Sequence, residues 1–386
     1  MSGSGGSGSV SGLGGSGTVS GAGGSCTVSG LGGPGTVSGL GGSGTMPGPG
    51  GPVTVPGAGG SDIVIASDTL PAPVRLLRRG GLLVGRTPDD DRRARAGLAH
   101  VVSAIEVVDR LRTERGLPAP ALHLSVSSRL HDNGTKFGLG SSGAVTVATV
   151  QAVADWCGLE LSPEARFRLA LLATARIDPG PSGGDLAAST WGGWIAYRAP
   201  DRAAVLEAAR RRGIEQALRT PWPDFELRRL PPPPGLTLVV GWTGRPASTA
   251  ALVADLGARQ WRGTESHRRF LARSETCVQG AIRAFERGER AALLDRIRTA
   301  RRIMARLDED TGLGIFTPGL RALCDTAEAV GGAAKPSGAG GGDCGIALLP
   351  AEAHQELARL RAGWRGAGIV PLPIRTADRK DARDDR

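Results

Sequence analysis

Lysine is scarce in this 386-residue chain: Lys136, Lys335 and Lys380 are the only three. Aromatic residues make up 4%, and residues 1–60 contain no Lys, Arg, Asp or Glu. The cysteines Cys26, Cys157, Cys277, Cys324 and Cys344 form no C-x-x-C pair, and the five histidines form no H-x-x-x-H pair. A disulfide framework and a zinc site are therefore not expected, and free thiols in a reducing compartment are. No apolar run approaches the roughly 20 residues that span a bilayer. The N-terminus has neither the basic start nor the compact apolar core of a secretory signal. The expectation is a cytoplasmic chain without a membrane partner.

The net charge is +10 and is carried almost wholly by arginine. Basic residues lie along helical segments such as Arg92-Arg93 and Arg210–Arg212, with no aromatics between them. That pattern does not suggest nucleic acid, and it suits a small anionic substrate. Against this arginine background, Lys136 and Lys335 each directly precede a glycine-rich segment. An ammonium acts on phosphate as a point charge, where a guanidinium acts as a wide fork.

Residues 1–60 are mostly Gly, Ser, Thr, Val and Pro with a period of nine, which puts Val10, Val19, Val28, Val37, Met46 and Val55 in one phase. Calcium-binding nonapeptide rolls need an aspartate in each repeat, and none is present. The composition predicts a flexible, disordered tail. Globular sequence starts near Ser61. Short strands are expected at 63–65 and 74–77, one helix over 93–115, a strand at 122–126, and helices over 144–156 and 162–175. Pro231–Pro234 marks a boundary, giving domains over 61–232 and 235–376, with a charged tail at 377–386. Beyond the boundary, a strand is expected at 236–240 and another at 345–349. Helices are expected at 250–260, 266–287, 289–307, 320–330 and 351–367. Strands and helices mix without regular alternation, so the class is α+β in two domains.

Three motifs carry chemistry. Lys136-Phe137-Gly138-Leu139-Gly140-Ser141-Ser142-Gly143-Ala144 opens a long helix. Glycines let backbone approach a phosphate, the helix N-terminus favours an anion, and the serine hydroxyls can reach phosphate oxygens or magnesium. The Walker pattern is absent, because the lysine comes before the loop. The second motif runs from Asp178 through Pro179-Gly180-Pro181-Ser182-Gly183-Gly184 to Asp185, and leads into a helix of small residues. Its carboxylate could orient a nucleophile or accept its proton, although an N-cap is the plainer reading. The third is Lys335-Pro336-Ser337-Gly338-Ala339-Gly340-Gly341-Gly342-Asp343-Cys344-Gly345, entering a strand.

Three glycine-rich motifs in this order resemble the pattern of the GHMP kinases. G-L-G-S-S resembles their central ATP-phosphate loop. K-P-S-G-A-G-G-G-D-C-G-I-A is similar to the C-terminal motif of the branch that acts on 5-phosphomevalonate. The likeness extends over about residues 61–376. It implies an S5-like N-terminal domain, a ferredoxin-like C-terminal domain, ATP as co-substrate with Mg2+, and 5-phosphomevalonate as small-molecule acceptor. It also implies that Gly138, Leu139, Gly140, Ser141, Ser142, Gly143 and Ala144 cradle the ATP phosphates, with Ser141 or Ser142 near magnesium. Lys136, Ser182 and Asp185 are then catalytic, and Ser337, Gly338, Ala339 and Gly340 line the acceptor side. The family's usual opening strand with its P-G-K motif is missing, and the nonapeptide tract stands in its place. A family member acting on mevalonate or diphosphomevalonate, or a non-catalytic paralogue, are the alternatives.

Overall fold

The structure, a computed structural model, describes residues 7–9, 17–21, 24–29, 62–128, 131–132, 135–247, 252, 255–256, 259 and 261–374. The chain opens with β1 (Ser7–Ser9), β2 (Gly17–Gly21) and β3 (Gly24–Ser29), followed by β4 (Asp62–Ser67), β5 (Val74–Arg79) and β6 (Leu82–Gly85). Helices α1 (Pro88–Gly97) and α2 (Ala99–Glu114) lead to β7 (Leu122–Ser128) and a short hairpin, β8 (His131–Asp132) and β9 (Thr135–Lys136). Next come α3 (Ser141–Trp156), α4 (Pro163–Ile177), α5 (Gly184–Trp191), β10 (Trp194–Arg198), α6 (Arg202–Arg212), α7 (Ile214–Arg219) and β11 (Glu226–Leu230). The second half contains β12 (Leu236–Trp242), α8 (Glu265–Arg287), α9 (Arg290–Thr311), α10 (Pro318–Ala329), β13 (Ala333–Pro336), β14 (Cys344–Pro350), α11 (His354–Gly366) and β15 (Val370–Leu372).

The first sheet has the order β1-β2-β3-β7-β4-β5-β6. Its single parallel pair is β4 with β7, which places Ile63 opposite Leu122 and Ser67 opposite Val126. The alternating inward residues Ile63, Ile65, Val74 and Leu76 are buried against Val101, Ile105 and Leu111 of α2, Val150 and Val153 of α3, and Phe167 and Leu171 of α4. Helical spacing of apolar residues on α2 is what lets that face seat on the sheet.

The expected helix over 93–115 is two helices. Thr87 caps α1 by accepting from Asp90 N, and the chain turns at Leu98 before α2 begins. Leu98 is buried, so its side chain keeps the apolar rhythm across the break, which is why the sequence reads as one helix.

The nonapeptide tract departs from expectation more sharply. Where a flexible tail was expected, residues 7–9, 17–21 and 24–29 are strands. β3 pairs antiparallel with β7, from Gly24 opposite Ser128 to Ser29 opposite His123. Composition reflects only the tract's own residues, whereas the order of these strands comes from pairing with a neighbour. Without β3, the edge of β7 would present a row of unpaired backbone donors and acceptors, and leaving such groups unpaired where water is excluded is costly. Residues 30–61 and 375–386, and most of the helix expected at 250–260, lie outside the described residues.

The second sheet is fully antiparallel with the order β13-β14-β12-β15. On one face, Val239, Ala347 and Leu349 pack with Leu323 of α10 and Leu360 and Trp364 of α11. On the other, Ala333 and Leu348 join Phe285 of α8, Leu293 of α9, and Trp194 and Leu230 from the β10–β11 hairpin. That cluster joins the two halves of the molecule across the Pro231–Pro234 boundary. Among the described residues, no helix is long and apolar enough to cross a membrane.

Candidate active site

The β8–β9 hairpin delivers the chain to the first glycine-rich loop. Lys136 is the last residue of β9 and pairs through its backbone with His131. Gly138 and Gly140 both have left-handed backbones, with φ of 69° and 76°. Gly140 is the N-cap of α3, which has no side-chain capping bond and no acidic residue in its first turn. The leading N–H groups of α3 are thus left for an incoming acceptor. Ser141, Ser142 and Ala144 are half-buried in that first turn, and Gly143 is buried.

The second motif arrives at the same place. Gly183, also left-handed, starts α5 without a side-chain cap, and Asp185 lies in its first turn. The Asp185 carboxyl lies against the start of α3. A Cβ added at Gly143 would meet Asp185 Oδ2 at 2.4 Å, and one at Gly140 would meet Asp185 Cβ at 2.9 Å. Glycine at both positions is therefore a steric requirement for this carboxyl. Burial pushes the Asp185 pKa up, while the backbone N–H groups of Leu186 and Asp185 and the charge of His100 oppose the shift. His100 belongs to the first turn of α2. Ser182 is exposed; its hydroxyl accepts from Gly184 N at 3.3 Å.

The third motif approaches from the second sheet. Ser337 N donates to Cys344 O at 2.9 Å, which closes the loop between β13 and β14. Gly338 is exposed and Ala339 half-buried, while Gly340 is packed so tightly on Ile315 that a Cβ would meet its carbonyl oxygen at 2.6 Å. Gly341 N donates to Ile315 O. Contact with the first loop comes from the motif's far end. A Cβ at Gly138 would fall 2.1 Å from Asp343 Cγ, and the Cys344 thiol donates to Phe137 O at 3.1 Å. Burial, and to a lesser degree Asp343, push that thiol up to about 12, so it remains a protonated donor. Phe137 meets Trp242 edge-on at 5.3 Å, and Leu139 packs on Val240, Cys344 and Ile346.

Asp343 is one of two non-glycine residues with positive φ among those described, at 51°. It is held there by four bonds. Its N–H donates to Arg245 O, its carbonyl accepts from Thr243 N and Thr243 Oγ1, and its carboxyl accepts from Ala247 N. The two motif lysines differ in what is described. Only the backbone of Lys136 is, whereas the Lys335 ammonium donates to Pro336 O and burial lowers its pKa.

The fold thus brings together Gly138, Gly140, Gly143 and Asp185, and ties the first loop to Asp343 and Cys344. Ser337 and Gly340 are engaged within their own half. Sequence reasoning gave no role to His100, Asp343, Cys344 or Tyr197. Tyr197 could have been suspected as the chain's sole tyrosine, and Asp343 as a charge closing a run of glycines.

The GHMP kinases N terminal domain profile matches residues 99–193, and the GHMP kinases C terminal profile matches residues 281–366. A phosphomevalonate kinase from Streptomyces sp. (strain CL190) is 64% identical over 317 residues, covering 82% of this chain and 85% of that protein. The chain belongs to the GHMP kinase family. A mevalonate kinase from Pyrococcus horikoshii is more distant, 28% identical over 72% of this chain and 73% of its own length. The solved structure of Streptococcus pneumoniae phosphomevalonate kinase in complex with phosphomevalonate and AMPPNP shares the fold. Its TM-score is 0.71 at 22% identity, with 94% of this chain and 93% of that one covered.

Proposed function

We infer that this chain is a phosphomevalonate kinase, transferring the γ-phosphoryl group of ATP to 5-phosphomevalonate to give 5-diphosphomevalonate and ADP, on the mevalonate route to isoprenoids. The 64% identity to the Streptomyces phosphomevalonate kinase over most of both chains carries this reading.

The geometry supports a division of labour. The loop from Gly138 to Ala144 cradles the ATP phosphates with glycine backbone and the uncapped start of α3. Lys136 offsets charge on the transferring group. Ser182 and Asp185 meet the acceptor phosphate, and Ser337, Gly338, Ala339 and Gly340 close the acceptor side. The acceptor is an ionised phosphate and needs no base to activate it, so Asp185 serves to orient the reactants. Phosphoryl transfer depends mainly on positioning and charge stabilisation, and this set offers both. The Asp185 carboxyl lies against Gly140 and Gly143, which flank Ser141 and Ser142, so this helix start offers hydroxyl and carboxylate oxygens, the hard donors that magnesium prefers. When bound, that ion would neutralise charge on the ATP phosphates. The free thiols Cys157, Cys277, Cys324 and Cys344 suit a cytoplasmic location.

ADP release measured with 5-phosphomevalonate and with mevalonate tests the reading. Turnover with the first and little or none with the second is expected. Preference for mevalonate, or ATP binding without turnover on either, would overturn it.

A further inference from the structure

The turn that presents Ser182 and Asp185 is poorly suited to holding a shape by itself. Asp178-Pro179-Gly180-Pro181-Ser182-Gly183-Gly184 has two prolines without N–H groups and three glycines of high backbone freedom. Within the turn, Gly180 N donates to the Asp178 carboxylate at 2.8 Å and Gly184 N to the Ser182 hydroxyl. The stronger restraints come from outside. Tyr197 of β10 donates its phenol proton to Ser182 O at 2.6 Å. Arg202, the first residue of α6, donates through Nε to Pro179 O at 3.1 Å and through Nη2 to Gly180 O at 3.2 Å. Its Nη1 reaches Pro200 O at 3.0 Å.

Both side chains are well held. The Tyr197 ring lies edge-on to Phe167 at 5.8 Å and to Phe225 at 6.3 Å. Burial raises the phenol's pKa, so it remains a donor. A Cβ at Gly183 would come within 3.3 Å of the Tyr197 hydroxyl and 2.5 Å of Leu171 Cδ1, so the turn is seated directly on this support. The hydrogen bonds of Arg202 all go to carbonyl oxygens, a fork used to grip backbone.

We propose that Tyr197 and Arg202 are positioning residues for phosphoryl transfer, clamping the turn from Asp178 to Gly184 so that Ser182 and Asp185 meet the acceptor phosphate in register. This rests on the reading of that turn as the acceptor side of the site. A misplacement of 1 Å at reacting groups costs about 100-fold in rate, and a Pro-Gly turn released from three outside hydrogen bonds has that much freedom.

The test compares Tyr197→Phe, which keeps the ring and removes the hydroxyl, with Arg202→Lys, which keeps the charge and removes the fork. Asp185→Asn is measured beside them. Each clamp variant should lose about tenfold or more in kcat/KM for phosphomevalonate. The KM for ATP should stay within about twofold of the parent, since the α3 loop is untouched. A purely structural role would lower the melting temperature and leave that split between substrates unseen. If Asp185→Asn is inactive while both clamp variants keep parental constants, or weaken both substrates equally, the clamp is overturned. Parental turnover in Asp185→Asn would instead overturn the site reading on which it rests.

Discussion

Asp185 is a carboxyl held where its charge is penalised. Burial sets its folded pKa above the unfolded value, so the folded state retains the proton over the interval between the two. Stability from this group is therefore lost as pH rises from the unfolded carboxylate value through the folded one. Once ionised, the side chain works against the fold, at a position proposed to serve the site. Asp185→Asn should then show opposite effects in two assays: a higher melting temperature at pH 7, and turnover lowered by about 100-fold or more. A fall in both would mean that the carboxylate is a structural anchor. In the parent, the acidic limb of the kcat/KM profile, which reports the free enzyme, should be displaced upward from the ordinary carboxylate range if the ionised form is the working one.

At the scale of elements, the strands of the nonapeptide tract bear most directly on function. α3, whose first turn is proposed to cradle the ATP phosphates, lies against β2 and β3 as well as β7. The tract thus lays part of the floor beneath the loop, although it holds no charged residue of its own. Removing residues 1–60 should lower the melting temperature and reduce turnover together, because it strips the partner from β7 and the support from α3. A shortened protein with unchanged melting temperature and activity would restore the flexible-tail view. This was not legible in the sequence, because strand formation here depends on an open edge roughly a hundred residues away. The regular elements were more readable: the strand expected at 236–240 is the core of β12, and the helix expected at 266–287 is nearly all of α8. Their apolar periodicity is local, whereas the break at Leu98 is a change of direction that leaves that periodicity intact.

Across the whole molecule, the site is closed by a contact between residues 207 positions apart, Cys344 and Phe137. Local composition revealed each glycine motif separately. It could not reveal that the third grips the first through Asp343 and Cys344, since that depends on how two sheets meet. Gly138 is where this closure is tightest. Alanine there would have to adopt a φ of 69° with its Cβ 2.1 Å from Asp343 Cγ. Such backbone strain alone is about 1–3 kcal/mol. Gly138→Ala should raise the KM for ATP about tenfold or more, and adding Asp343→Gly, which vacates the space and accepts positive φ, should recover part of the loss. An undiminished defect in the double variant would mean that the strain at Gly138, and not the contact with Asp343, is what the loop cannot tolerate.

The repeat that forms β2 and β3 has a further consequence. Thr18-Val19-Ser20 of β2 and Thr27-Val28-Ser29 of β3 are successive copies of one phrase, and Thr36-Val37-Ser38 repeats it again. The sheet edge is thus assembled from interchangeable parts. Copies upstream of β3 could replace one another in the slot of β2, but the downstream copy puts Pro34 in the place of Ser25 and has no N–H there to give the ladder. Such a segment can change its number of units at less structural cost than the glycine loops it supports, provided that proline stays out of the strand beside β7.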